Sequence, residues 1–439
     1  MNVAASSHYL NDFNRARATL AGQHLPWLDD IRAEAAGDFQ AHGFPTLRDE
    51  DWKYTSVARI EQGNFSLSAA ASQPITAGQI EMLELPETQL LVFVDGRYQP
   101  ALSRINGLPA GVTIAGVAEM LEREPERLQT LLARQSRDYP SGFAALNAAC
   151  MIDGSYVYLA HGAVLDAPLH LLFVATQDNL AVHSRNFVVA ESNSHACIVE
   201  HHVALGAVRY FTNVVTDIVA GRNASIEHHK LQDESTGAFH IAATNAWLSQ
   251  DSHFVSGSYA FGAALARTDI NVALDGEGAE CSLDGLYMSN GRQHVDHHTC
   301  VDHNRPHGTS REFYKGVLSG ASRAVFNGKV IVHSGAQHSD ASQTNHNLLL
   351  SAQAEVDTKP QLEIWADDVK CSHGATVGQL DDNQVFYLRS RGVDYAAARA
   401  LLTYAFAAEM VDRVSLPPLR ARLDRLLRVR LPQSSEVLS

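Results

Sequence analysis

Residues 188–202 read VVAESNSHACIVEHH and residues 217–229 read DIVAGRNASIEHH. Each is an apolar run, a small polar turn and a second apolar run. The outline returns as AWLSQDSHFVSG (246–257), VALDGEGAECSLDG (272–285), VLSGASRAVFNG (317–328) and LLLSAQAEVDTK (348–359). With Ile198, Ile226, Phe254, Cys281, Ala324 and Ala354 taken as equivalent, the steps are 28, 28, 27, 43 and 30 residues. A near-constant period marks a solenoid, whose rungs bury their faces only against neighbouring rungs. The long step is read as an extra half-rung or loop. A β-sandwich would also supply short apolar runs, but its strands need not recur at a fixed period.

From residue 150 to 385, short Val-, Ile-, Thr- and aromatic-rich runs are broken by Asp275-Gly276, Asn290-Gly291, Ser319-Gly320, Asn327-Gly328 and Ser334-Gly335. These pairs are read as turns. No amphipathic helix of 10–15 residues intervenes, which argues against a βαβ fold. The expected fold is therefore mainly β, a parallel β-helix over 150–385 with helical domains at both ends. Residues 1–80 form the N-terminal helical domain, where Leu25, Leu28, Ile31 and Ala35 recur at helical spacing and Gly43 and Pro45 close the helix. Residues 81–149 are a mixed connection, with LLVFVDG as strand and turn and VAEMLEREPERLQTLLA as helix. Residues 386–439 are helical again. Asp394 is an N-cap, Tyr395, Ala398, Leu402, Ala405 and Met410 lie near one stripe, and Pro417-Pro418 separates a second basic helix.

The 439 residues carry 34 basic and 49 acidic side chains, a formal charge of −15. That field repels phosphate backbones, and no basic stripe interleaves with aromatics, so nucleic acid is not an expected partner. The basic run at 420–430 is read as a solvated helix face. No charged leader precedes a long apolar block, and Leu169–Ala175 and residues 396–408 fall short of the ~20 residues that span a bilayer. Cys150, Cys197, Cys281, Cys300 and Cys371 are odd in number and widely spaced, which suits reduced thiols in the cytoplasm.

Two clusters could carry chemistry. The first is His294, His297, His298, Cys300, His303 and His307. Strand alternation puts His294, Asp296, His298, Cys300 and Asp302 on one face and His297 and His303 on the other. Such a face could bind a borderline metal, or the residues could form polar ladders between rungs. The second is Asp367, Asp368, Lys370, Cys371, Ser372 and His373, where Cys371 and His373 share a strand face and could hold one metal or sulfur species, or simply pack. His333 and His338 are read as surface residues. No P-loop, dinucleotide fingerprint, nucleophile elbow or four-cysteine cluster motif is present. The open alternatives are a β-helix polysaccharide enzyme, which would place carboxylates along a groove, and a metal-storage protein using residues 294–307.

The stretches YKGVLSGASRAVFNGKVIVHSGAQHSDASQTNHNLLLS (314–351), AEVDTKPQLEIWADDVKCSHGATVGQLD (354–381) and FYLRSRGV (386–393) resemble the C-terminal core of the SufB/SufD family, unbroken over about 296–414. GFPTLRDEDWKYT (43–55) resembles the start of its SufD branch, so the likeness spans nearly the whole chain. That N-terminus, the length and the Cys-Ser-His of KCSHGATVG favour the SufD branch over SufB. The resemblance implies a right-handed parallel β-helix and a non-catalytic scaffold in iron–sulfur cluster assembly. It implies pairing with a SufB-type subunit and docking of SufC-type ATPase subunits at the C-terminal helices. It further implies a transient cluster at the SufB interface, with His373 offering an imidazole and Cys371 as the lesser metal candidate. A reduced flavin is associated with such complexes, and self-pairing would be the alternative when the partner is absent.

Overall fold

The computed structural model describes residues 3–67, 75–138 and 141–431. Its strands are β1 (Ser66–Leu67), β2 (Gln89–Val94), β3 (Arg97–Tyr98), β4 (Val112–Gly116), β5 (Ser155–Leu159), β6 (Leu169–Ala175), β7 (Leu180–Ala190), β8 (His195–Ala204), β9 (Phe211–Ala220) and β10 (Ser225–Asp233). They continue as β11 (Phe239–Leu248), β12 (His253–Ala260), β13 (Leu265–Leu274), β14 (Glu280–Ser289), β15 (His294–His303), β16 (Thr309–Leu318), β17 (Arg323–Val332), β18 (Asp340–Leu349), β19 (Glu355–Ile364) and β20 (Lys370–Gly378). From β5 onward the odd strands build one sheet and the even strands the other, and β7 to β18 each pair in parallel with the strand two before and the strand two after. The result is a parallel solenoid of about eight turns. Antiparallel pairing occurs at its start, between β2 and β3 and between β4 and β5, so the sheets recruit strands from ahead of residue 150.

The rung register explains the repeat and corrects part of it. Ile226, Phe254 and Cys281 are true partners, buried in the interior. Ala196 rather than Ile198 pairs with Ile226, however, and Ala324 pairs with Val295 on the other sheet. The 43-residue step is thus a full rung plus the half-rung that crosses between sheets.

Tight turns from the odd to the even sheet place Asn193, Asn223, Asp251, Gly278, His307 and His338 at positive φ. Asn and Asp tolerate this left-handed conformation best after Gly. Each donates its backbone N–H to a carbonyl of the next turn, as in Asn193 to Arg222 (3.0 Å) and Asn223 to Gln250 (2.9 Å). The expected turn at Asn327-Gly328 is instead inside β17. There the missing Cβ makes room for Gln343 of the facing strand, whose side-chain nitrogen would lie 1.7 Å from a Cβ.

Near these turns the interior is apolar, including Ile198, Ile218, Phe254, Leu283 and Phe326. Burial of each such side chain is worth about 1.5–3 kcal/mol. Helices α1 (Val3–Ala16), α2 (Pro26–His42), α3 (Ala58–Glu61), α4 (Ala77–Leu83), α5 (Val117–Arg123), α6 (Pro125–Asp138) and α7 (Gly142–Cys150) precede the regular rungs. Gly43, at φ 66°, caps α2 by donating to Phe39. The helix expected over 117–133 breaks before Pro125, which cannot donate a backbone hydrogen bond. Phe39, Phe44 and Phe143 pack with Phe211 and Phe239 on the outer face of the odd sheet.

Helices α8 (Asp382–Ser390), α9 (Tyr395–Asp412) and α10 (Pro417–Arg430) follow the last rung. Asp394 caps α9 by accepting from Ala396 and Ala397, as expected. Its buried stripe runs through Ala400, Thr403, Ala407 and Met410, while Ala405 faces solvent. In α10, Leu419, Leu423 and Leu427 bury against the even sheet beside Leu231, Tyr259 and Leu286, and Arg430 pairs with Asp233. The basic run therefore covers a sheet face rather than lying wholly in solvent. No described helix is long and apolar enough to cross a membrane.

Candidate functional site

The solenoid ends on β19 and β20, each paired on one side alone. Their outer backbone edges are free for another strand, a liability that proteins normally cover. Around this end Ile364, Trp365, Val377, Phe386 and Tyr387 are exposed, Trp365 by 68% and Phe386 by 73%. An exposed apolar group of this kind marks an interaction surface.

Cys371 and His373 both lie on β20, as the sequence predicts. Cys371 is the partner of Ala341 and His373 of Gln343, and both of those point into the solenoid. The two site residues therefore share the interior-facing side, about 7 Å apart by two strand rises. Cys371 rests partly buried on the apolar core. Burial pushes its thiol up, against a backbone hydrogen bond from Ala341. His373 is exposed. Beneath it, Gln343 donates to Glu312 (3.1 Å), which also accepts from Thr299 (2.6 Å). Burial pushes the Glu312 carboxyl up to about 7, opposed by those two bonds. Of the flanking residues, Asp368 pairs with the exposed His338 (3.0 Å).

The 294–307 cluster does not converge. His297 and His303 point inward and bond to Ser258 (3.0 Å) and Ser310 (2.9 Å). Outside, Thr55 meets His294 (2.8 Å) and Asp296 (2.5 Å), and Arg267 stacks 3.7 Å from the Trp52 ring. The His294 and Asp296 part of the face read as a candidate metal surface is thus the dock for Thr55, while Cys300 farther along it meets Asp302 at 3.9 Å. His307 is one of the left-handed turn residues and stacks on His338 at 4.9 Å.

Two ligand-like groups do converge among the described residues, and the sequence reading missed both: His202, Glu234 and His240 inside, and Cys197, Glu227 and His229 outside. Aligning rungs on the turn asparagines Asn193 and Asn223, instead of on the repeated Glu-His-His letters, would have brought Cys197 beside Glu227.

The fold is a parallel β-solenoid between helical ends, and the chain belongs to the SufBD family of iron–sulfur cluster assembly proteins. The SufBD core domain matches residues 173–406 and the SufBD N-terminal region residues 3–171. The chain is similar to the iron–sulfur cluster assembly protein SufD of Escherichia coli, 35% identical over 396 residues, covering 89% of this chain and 90% of that one. It is also similar to a SufBD family protein of Synechocystis, 34% identical over 419 residues (93% and 92%), and to SufD of Bacillus subtilis, 23% identical over 436 residues (96% and 97%).

Proposed function

We propose that this chain is the SufD-type, non-catalytic scaffold subunit of a cytoplasmic SUF complex, and that its last rung faces a SufB-type subunit. The observation that carries the reading is the open edge of β19 and β20, ringed by exposed apolar side chains and bearing Cys371 and His373. A strand from a partner would satisfy the free backbone groups and continue both sheets. The nascent iron–sulfur cluster is then cargo held between subunits. His373 supplies a borderline imidazole ligand and Cys371 a secondary thiol, while the partner supplies the main thiolates. No cofactor is held tightly by the chain alone, and any reduced flavin belongs to the assembled complex.

The SufC-type ATPase docks on the outward faces of α9 and α10, because their inward faces already cover the even sheet. Removing both helices would bare that apolar cluster, so a surface change such as Val429→Glu, at a position 78% exposed, is the cleaner probe. It should weaken ATPase capture and leave SufB pairing intact.

The central test compares His373→Ala and Cys371→Ala in cells that depend on this pathway, with complex assembly verified for each. His373→Ala should assemble but fail to mature clusters, and Cys371→Ala should be milder. Full activity of an assembled His373→Ala complex would overturn the site.

A further inference from the structure

On the outer face of the even sheet, Cys197 of β8 and Glu227 of β10 are rung partners. His229 follows two residues later and shares that face. The place is five strand spacings from β20, about 24 Å, so it is separate from the terminal rung. One ligand atom from each residue, a thiol sulfur, a carboxylate oxygen and an imidazole nitrogen, lies within 4.8 Å of the other two.

The state of His229 is the informative observation. It is 2% exposed, its Nε2 pairs with Glu227 Oε2 at 3.5 Å, and its Nδ1 meets no hydrogen-bond partner. A buried imidazole nitrogen without a protein partner leaves a place for water or an ion beside the ring. The chain also makes room for the ring, since a Cβ on Gly257 of β12 would fall 2.5 Å from His229 Nδ1. A cavity of about 160 Å³ opens beside it, beneath the α9–α10 connection. There Ser415 bonds to Glu227, and Arg413 is occupied by Asp284 at 3.0 Å. Burial, reinforced by Glu227, pushes the Cys197 thiol up to about 12, so in the empty site it carries a proton.

We infer that Cys197, Glu227 and His229 bind one divalent cation of the zinc or ferrous type, with the cavity side left open for water or a fourth ligand. Thiolate, imidazole and carboxylate are the donor set such cations take, and three protein ligands with an open position leave the ion exchangeable. Binding exchanges the thiol proton for the metal and releases it to solvent. The interior group at His202, Glu234 and His240 is the weaker candidate. Glu234 is already engaged by His240 (2.7 Å) and Thr212 (3.0 Å), and the Lys230 ammonium lies 3.3 Å from His202, where it would repel a second cation.

The test is titration of the full-length, chelator-stripped, reduced protein with Co²⁺. One equivalent should bind with a thiolate-to-cobalt charge-transfer band in the near ultraviolet. Cys197→Ser should abolish that band and Cys371→Ser should retain it, which keeps this outcome distinct from the terminal-rung reading. Glu227→Gln and His229→Gln should weaken binding by about tenfold or more. Zn²⁺ should displace Co²⁺ and raise the melting temperature of the unaltered chain but not of Cys197→Ser. Absence of the band in the unaltered chain, or its survival in Cys197→Ser, overturns the site. Should Cys197→Ser fail to fold, Gly257→Ala displaces the His229 ring instead, and undiminished Co²⁺ affinity in that variant overturns it equally.

Discussion

The chain spells Glu-His-His twice, at residues 200–202 and 227–229, and the two triplets do opposite things. Glu200 points into the solenoid, where it meets Lys230, His202 (2.7 Å), His228 (3.2 Å) and Thr216 (2.7 Å). Glu227 points outward to His229 and Ser415. In the rung register Glu200 is the partner of Lys230 and Glu227 of Cys197, so the triplets are out of step by an odd number of residues. An odd slip sends every side chain to the other face. Environment then sets the chemistry. Burial pushes the Glu200 carboxyl up, but Lys230 and the two histidines outweigh it and hold the group well below the usual carboxylate range. Glu227 is held at about 2, chiefly by His229.

Removal of one interior charge should have the largest effect. Lys230→Met or Glu200→Ala strands its partner in a dry interior, and each should cost about 3–5 kcal/mol in denaturant unfolding. A loss under about 1 kcal/mol would show that water reaches this interior. Acid should act next. Burial, then Lys230, hold His202 at about 4, and burial alone sets His183 at about 3. Histidines depressed in this way are neutral when folded and take up a proton when unfolded below about 6.5. Their contribution is therefore present above pH 6.5 and lost as pH falls toward 4. The loss should approach about 2 kcal/mol per histidine by pH 5, followed by unfolding at stepped pH.

Glu312 sharpens the contrast, being a buried inward carboxyl with no cation beside it. Its raised pKa means that the folded chain holds the proton, so stability falls as pH rises from about 4.5 through 7. Glu312→Gln should stabilise the protein by about 1–2 kcal/mol at pH 8 and have little effect at pH 5. Glu227→Gln should give the smallest change, a loss of about 1 kcal/mol without added metal, because its depressed carboxylate is only partly buried. The same substitution made at Glu200 should be several times more costly.

Much of the fold was legible because local chemistry dictated it. The small polar turns, the Asp394 cap and Gly43 each act through their own backbone, whereas the single helix read over 117–133 passed over the break at Pro125. The Cys371–His373 pairing was legible too, since any strand puts alternate residues on one face. What escaped depended on register or on place in the stack. A glycine inside β17 looked like a turn because its purpose, room for Gln343, lies on another strand. The α9 stripe was misplaced at Ala405 because the sheet beneath selects which face is buried. The exposure of His373 follows from β20 being last, a property of the assembly of rungs and not of its own letters.

The turn ladder has a consequence for how the molecule breathes. A stack in which each rung is held only by its neighbours opens from its ends, and among the regular rungs the β19–β20 end has no covering layer. Amide protons there should exchange fastest, with protection rising toward β9–β12, where helices cover both sheets. The surface best placed to receive a partner is thus also the one whose order is least self-sufficient, so docking would anneal it.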